Sequence, residues 1–246
     1  MLDRSLLRAG ILAGGLALAG LLTGFGVARV RSSDRFVTVK GVSEREVRAD
    51  IAIWPLHVTG ADNDLTAAQA KLTRSIAGVR QFLARQGIDT TQIELTGFGV
   101  QDALSQMYRS DRAPANRFIV QQTILVRSNR VDAVLAASQR IGELANIGVV
   151  VTSGAGGEYG GRGMGPTFIF TKLNDLKPAM IAEATARARE AGEQFARDSR
   201  SRLGGIRRAN QGVFEIVGRE QAPGIMSEVQ VAKLVRVVST VEYFLD

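Results

Sequence analysis

His57 is the only histidine in the sequence, and cysteine is absent. Those two facts remove most familiar reaction centres. Without a thiol there is no cysteine nucleophile, no disulfide and no Cys-ligated zinc or iron–sulfur site, and one imidazole cannot build a multi-histidine metal site. A Ser-His-Asp triad would have to use His57 itself. That residue lies in an apolar run with Trp54, Leu56 and Val58, and it reads as a structural side chain, because a general base needs a positioned partner.

Asp62, Asn63 and Asp64 offer oxygen donors to a hard cation. They lack the turn glycine and distal glutamate of a calcium loop, so they read as a helix cap and no metal is expected. The stretch Gly154–Gly165 is more than half glycine and invites comparison with a phosphate cradle. No G-x-G-x-x-G spacing is present. Gly156 and Gly161 stand at P-loop distance, but Arg162 and Gly163 replace the lysine and hydroxyl residue that the chemistry requires. The stretch reads as a loop of unassigned role, and no cofactor is expected. Met107, Tyr108, Arg109 and Arg112 sit in a polar, proline-containing stretch. Arginine and aromatic residues anchor interfaces, so these four form a candidate interaction loop, whose basic members could also meet lipid headgroups.

The elements around these residues begin with Ala9–Ala28, twenty residues without a charge. As a helix rising ~1.5 Å per residue it would cover the ~30 Å hydrocarbon core, and it is longer than the ~7–15 apolar residues of a cleaved signal. It is expected to be an uncleaved signal anchor after a short tail over residues 1–8. Gly26, Val27 and Ala28 leave open the alternative of signal cleavage. Gly10 with Gly14, and Gly20 with Gly24, are spaced for close helix–helix contact. Arginines flank both ends, Arg4 and Arg8 before and Arg29, Arg31 and Arg35 after, so charge counting does not orient the segment.

Residues 29–35 read as a linker. The formal charge of +7 is partly concentrated in those first 35 residues, and the rest is interleaved with acidic residues. Nucleic acid is therefore not an expected partner.

From Phe36 onward the patterns alternate. Strands are predicted at 36–42 and 47–59, with a turn around Gly41 and Ser43–Arg45 and with Pro55 marking an edge or bulge. A helix capped by Asp64 follows, its stripe running through Leu65, Ala68, Leu72, Ile76, Val79 and Leu83 and ending at Gly87. Strands are predicted at 93–100 and 117–127, a helix at 131–144, and short strands at 147–151 and 167–171. The longest helix spans 175–203, with Pro178 in its first turn, an apolar stripe of Ile181, Ala184, Ala188, Ala191 and Phe195, and Gly204-Gly205 as its stop. Glu183 with Arg187 and Glu193 with Arg197 are candidate i,i+4 pairs. Strands at 209–217 and 231–245 close the order. It predicts an α+β fold of mainly antiparallel sheets packed with three helices over 36–246, preceded by a transmembrane helix.

Several stretches resemble one family. Lys172–Arg189, Gln194–Ser199, Leu203–Ile206 and Val235–Leu245, together with Val37–Arg45 and Val126–Val134, look like the SIMPL domain. The resemblance runs from about Phe36 to the last residue, and the glycine-rich stretch is longer than the family's usual connection. It implies a bacterial envelope protein without established catalysis, with its globular part outside the cytosol. It also implies a part in envelope stress tolerance.

The expected protein is a non-enzymatic, single-pass protein of the inner membrane with a periplasmic domain. It would meet the bilayer through residues 9–28 and act by homo-oligomerisation or by binding another envelope protein. The alternative is a small-ligand receptor or enzyme with a carboxylate and arginine pocket near the glycine-rich stretch.

Overall fold

The computed structural model describes residues 13–24, 35–105, 115–152 and 165–246. Residues 13–24 form a helix, α1, whose side chains are all exposed. The remaining elements are β1 (Phe36–Arg48), β2 (Ile51–Asp62), α2 (Leu65–Arg85), β3 (Ile93–Asp102), β4 (Phe118–Ser128), α3 (Val131–Gln139), α4 (Glu143–Asn146), β5 (Val151–Thr152), β6 (Thr167–Ile169), α5 (Leu173–Asp198), β7 (Leu203–Gln211), β8 (Glu215–Gly218) and β9 (Ala232–Leu245). The α+β class with antiparallel sheets and several helices is therefore as the sequence predicts. One sheet has the order β1-β9-β7, with β8 also on β9, and the other the order β3-β4-β2-β5, with β6 also on β2. Among the described residues no helix is long and apolar enough to cross a membrane. The ends of the 9–28 segment lie outside them.

The chain divides into two compact units, a subdivision that the sequence pattern did not draw. The first takes in the described residues of Met1–Glu44 with Lys177–Phe214 and Arg236–Asp246. Its small core joins Val37, Ala188, Val241 and Tyr243. Helix α5 buries Met180, Ala184, Ala188, Gly192 and Ala196, a strict row of every fourth residue. Small side chains on that row let the strands come close: a Cβ on Gly41 of β1 would stand 1.9 Å from the Ala184 carbonyl oxygen. Gly41 is thus a contact glycine inside one long strand. The predicted turn at 41–45 is wrong: β1 runs unbroken through it to Arg48, and β2 begins at Ile51.

Other expectations for this helix also change. Ala191 and Phe195 face outward. The helix starts at Leu173, which puts Pro178 in its second turn. Arg197 donates to Gln194 at 2.8 Å and Arg189 pairs with Glu193 at 3.1 Å. The helix ends before Gly204-Gly205, which belong to β7. Its stop is Arg200, at φ 54°. The Ser201 amide reaches the Ala196 carbonyl at 2.8 Å and the Arg200 amide that of Arg197 at 3.1 Å, which is a Schellman ending with arginine in the usual glycine place.

The second unit comprises Arg45–Leu176 and Glu215–Val235. Alternation along β2 sends Ala52, Trp54, Leu56 and Val58 into a core with Leu72, Val79, Phe82 and Leu83 of α2 and Val120, Ile124 and Val126 of β4. Gly60 repeats the contact seen at Gly41, since its Cβ would lie 2.4 Å from the Ala68 carbonyl oxygen. Strand β2 is internal to its sheet, contrary to the edge reading. Pro55 nevertheless falls between β6, paired at Ile51–Ile53, and β5, paired at His57 and Val58. Among the described residues β2 has a paired strand on one side only there, where a missing backbone donor costs least. The single helix predicted at 131–144 is broken into α3 and α4. Of the strand predicted at 147–151, only Val151 pairs, together with Thr152. The strand predicted at 209–217 is split between β7 and β8.

Candidate functional site

Strand β3 is introduced by a short turn in which Asp89 accepts from the Thr91 amide at 2.9 Å and the Thr91 hydroxyl at 2.7 Å. These bonds, the hydroxyl's foremost, hold the Asp89 carboxyl below the ordinary aspartate value. The strand pairs antiparallel with β4 from Ile93 opposite Val126 to Asp102 opposite Phe118. Between Thr96 and Gly99 the register shifts, and Gly97 sits there at φ 61°. That is a bulge that only glycine enters easily. It breaks the alternation, so Leu95, Phe98 and Val100 end up 39%, 57% and 49% exposed.

The outer edge of β3 has no paired strand among the described residues. Proteins blunt such edges with charge, proline, bulges or short strands. The other sheet does so: its terminal strand β1 carries Lys40, Glu44, Arg45, Glu46 and Arg48, and β7 carries Arg207 and Arg208. Ten-residue β3 has a bulge, but only Glu94 and Asp102 as charges and no lysine or proline. At its end Arg117 bonds Asp102 at 3.1 Å and stacks 4.7 Å from the Phe118 ring. The Arg117 bond, before other causes, lowers the Asp102 carboxyl below its ordinary value. The Ala103 amide also donates to the Arg117 carbonyl at 2.7 Å, and this closes the base of the connection from β3 to β4.

That connection contains Met107, Tyr108, Arg109 and Arg112, which lie outside the described residues. Gly10 and all but Gly165 of the glycine-rich stretch lie outside them too. Gly14, Gly20 and Gly24 are within α1, where an added Cβ on any of them would meet nothing within 4 Å. His57 shares a 2.8 Å hydrogen bond between Nδ1 and Thr123 Oγ1, its cross-strand neighbour. Asp64 caps α2 by accepting from the Ala67 amide at 2.8 Å, as its position before the helical stripe predicts. Asp62 is turned to Lys71 at 2.7 Å, and that bond is the main reason its carboxyl lies below the ordinary value. Among the described residues no group of three or more histidines or carboxylates could hold a metal ion.

The sequence pattern located a strand at 93–100 but gave it no role. The missed signal is the spacing of Leu95, Phe98 and Val100 around Gly97. It fits no period of two and leaves no charge between Glu94 and Asp102.

A family model described as SIMPL, a protein of unknown function (DUF541), matches residues 37–241. No match was found among curated proteins.

Proposed function

Since the chain belongs to the SIMPL family, we propose that it is a membrane-anchored, non-enzymatic envelope protein that works by self-association along the open edge of β3. The observation that supports this reading is the outer edge of β3, which no strand among the described residues covers, with its exposed Leu95, Phe98 and Val100. Fully burying one such side chain is worth ~1.5–3 kcal/mol. Even partial cover of three on each copy therefore adds several to the backbone bonds of a new strand pair.

The occupant is a second copy of β3, antiparallel to the first. Centring the pair between Gly97 and Phe98 sets Leu95 opposite Val100 of the other copy, whereas moving the centre to Phe98 would set Glu94 opposite Asp102. Like charges facing each other disfavour that second register.

The anchor in this reading is the apolar segment 9–28. In its described part Leu16, Leu18, Leu21 and Leu22 are all exposed, which fits a helix whose surroundings are apolar on every side. The globular part lies in the periplasm, and tolerance of envelope stress is its role.

The chain has no cysteine, so introduced pairs report without background. The variant carrying both Leu95→Cys and Val100→Cys, as the full chain in native membranes, is expected to form a disulfide-linked dimer under mild oxidation. Either single variant should stay monomeric on a non-reducing gel. If the double variant stays monomeric, or the single variants link equally well, this strand pairing is wrong.

A further inference from the structure

Between α2, the end of β2 and the segment after α4 lies a cleft of about 470 Å³, within the ~300–1,000 Å³ range of small-molecule sites. Lys71, Arg74 and Ser75 reach it from one face of α2, at spacings of three and four. The opposite wall is Ile147, Val149 and Val150 with Gly148 between them. Gly148 has φ 73°. The Val149 amide bonds the Leu144 carbonyl at 3.0 Å and the Gly148 amide that of Ala145 at 3.0 Å, so the end of α4 fixes this wall. The wall closes on α2 at Gly78, where an added Cβ would stand 3.1 Å from Val149 and 3.2 Å from Ile147.

The two charges on the α2 side of the cleft differ in their engagement. Lys71 gives one proton to Asp62 at 2.7 Å and another to the Ala61 carbonyl at 3.0 Å, so its charge is matched. Arg74 has a single 3.4 Å bond, from Nε to the Ala70 carbonyl of its own helix. Both terminal nitrogens of its guanidinium remain to form a two-pronged contact with an oxyanion. Ser75 lines the cleft beside Arg74, and its hydroxyl can donate to the same oxyanion.

We propose that this cleft binds a small organic carboxylate, its head on Arg74 and Ser75 and its apolar body against Ile147, Val149 and Val150. One uncompensated positive charge suits a singly charged carboxylate better than a phosphate dianion. The apolar wall requires a body that a bare anion lacks. The site uses no residue of β3 and stands or falls independently of strand pairing.

The test uses the full chain in nanodiscs, with binding of hexanoate followed by ligand-observed NMR. Wild type should bind hexanoate, and Arg74→Gln should weaken it by about tenfold or more, as loss of a charge-assisted pair implies. Arg80→Gln, on the same helix but outside the cleft, should leave binding unchanged. Hexanol and inorganic phosphate should bind at least tenfold more weakly than hexanoate, roughly the loss of one charged or apolar anchor. Melting temperatures of the variants establish that they remain folded. No binding of hexanoate by wild type, equal binding by a folded Arg74→Gln, or phosphate binding as tight as hexanoate would each overturn the assignment. Equal binding to protein-free nanodiscs would do the same, because it would mark partition into lipid.

Discussion

Two helix endings in this protein have the same hydrogen-bond pattern and different residues in the left-handed place. Helix α2 ends on Gly87 at φ 72°, α5 on Arg200 at φ 54°. For an L-residue that conformation costs ~1–2 kcal/mol, whereas glycine adopts it freely. Arg200→Gly is therefore expected to stabilise the protein by about 1 kcal/mol, less whatever glycine returns to the unfolded chain. Gly87→Ala should destabilise it by a similar ~1 kcal/mol. Urea denaturation followed by far-ultraviolet circular dichroism checks both, and a shift of the same sign for the two variants would contradict the shared motif. The sequence foretold one of these endings. Gly87 follows an apolar stripe and is the expected stop, but Arg200 carries no mark of its conformation, and the Gly204-Gly205 pair downstream drew the boundary too far.

At the scale of elements, periodicity was a good guide wherever one face is buried by a single neighbour. Helix α2 and strands β4 and β9 fall within a few residues of their predicted ranges, because three-and-four or alternating spacing is enforced by a core on one side only. It failed in α5, where the buried row is spaced by four throughout and contains Gly192 in place of a larger apolar residue. Alanine and glycine are too small to reveal which face they serve, so the three-and-four stripe through Ala184 and Ala188 ran on to Ala191 and Phe195, which face outward. The same blindness hid Gly41 and Gly60, whose glycines serve contact and not turning.

Gly60→Ala provides the test, because a methyl group there meets backbone atoms of α2 that cannot rotate away. A loss of about 1–3 kcal/mol is expected from such overpacking. The sole tryptophan, Trp54, is buried in the core beneath the same helix, and its fluorescence follows the transition. An unchanged midpoint would show that α2 does not need glycine beneath it. Of the candidate site, the strand was legible and the edge was not. Whether a strand has one neighbour or two depends on residues far away in sequence, and no local pattern records it.

For the whole molecule the proposal of an anchored, periplasmic domain makes a prediction that needs no knowledge of partners. Ala77 lies on the exposed side of α2, so Ala77→Cys in the cysteine-free chain should react with a membrane-impermeant maleimide added to spheroplasts. Reaction only after the membrane is opened would put the domain in the cytosol. Protein recovered in the soluble fraction, with a chain starting at Arg29, would replace the anchor by a cleaved signal.

The two compact units are also threaded through each other along the chain: the first is drawn from three separate stretches and the second from two. Both need part of β9, whose Ala232–Val235 belongs to one and Arg236–Leu245 to the other. Neither can therefore be excised as a contiguous piece, and during synthesis neither is complete until β9 has emerged. A nascent chain must hold β1 unpaired for nearly two hundred residues before its partner in the sheet exists. Such distant pairing is slow and leaves strand edges open to the wrong neighbour. Emergence of β9 thus sets the pace at which the protein becomes safe from its own copies.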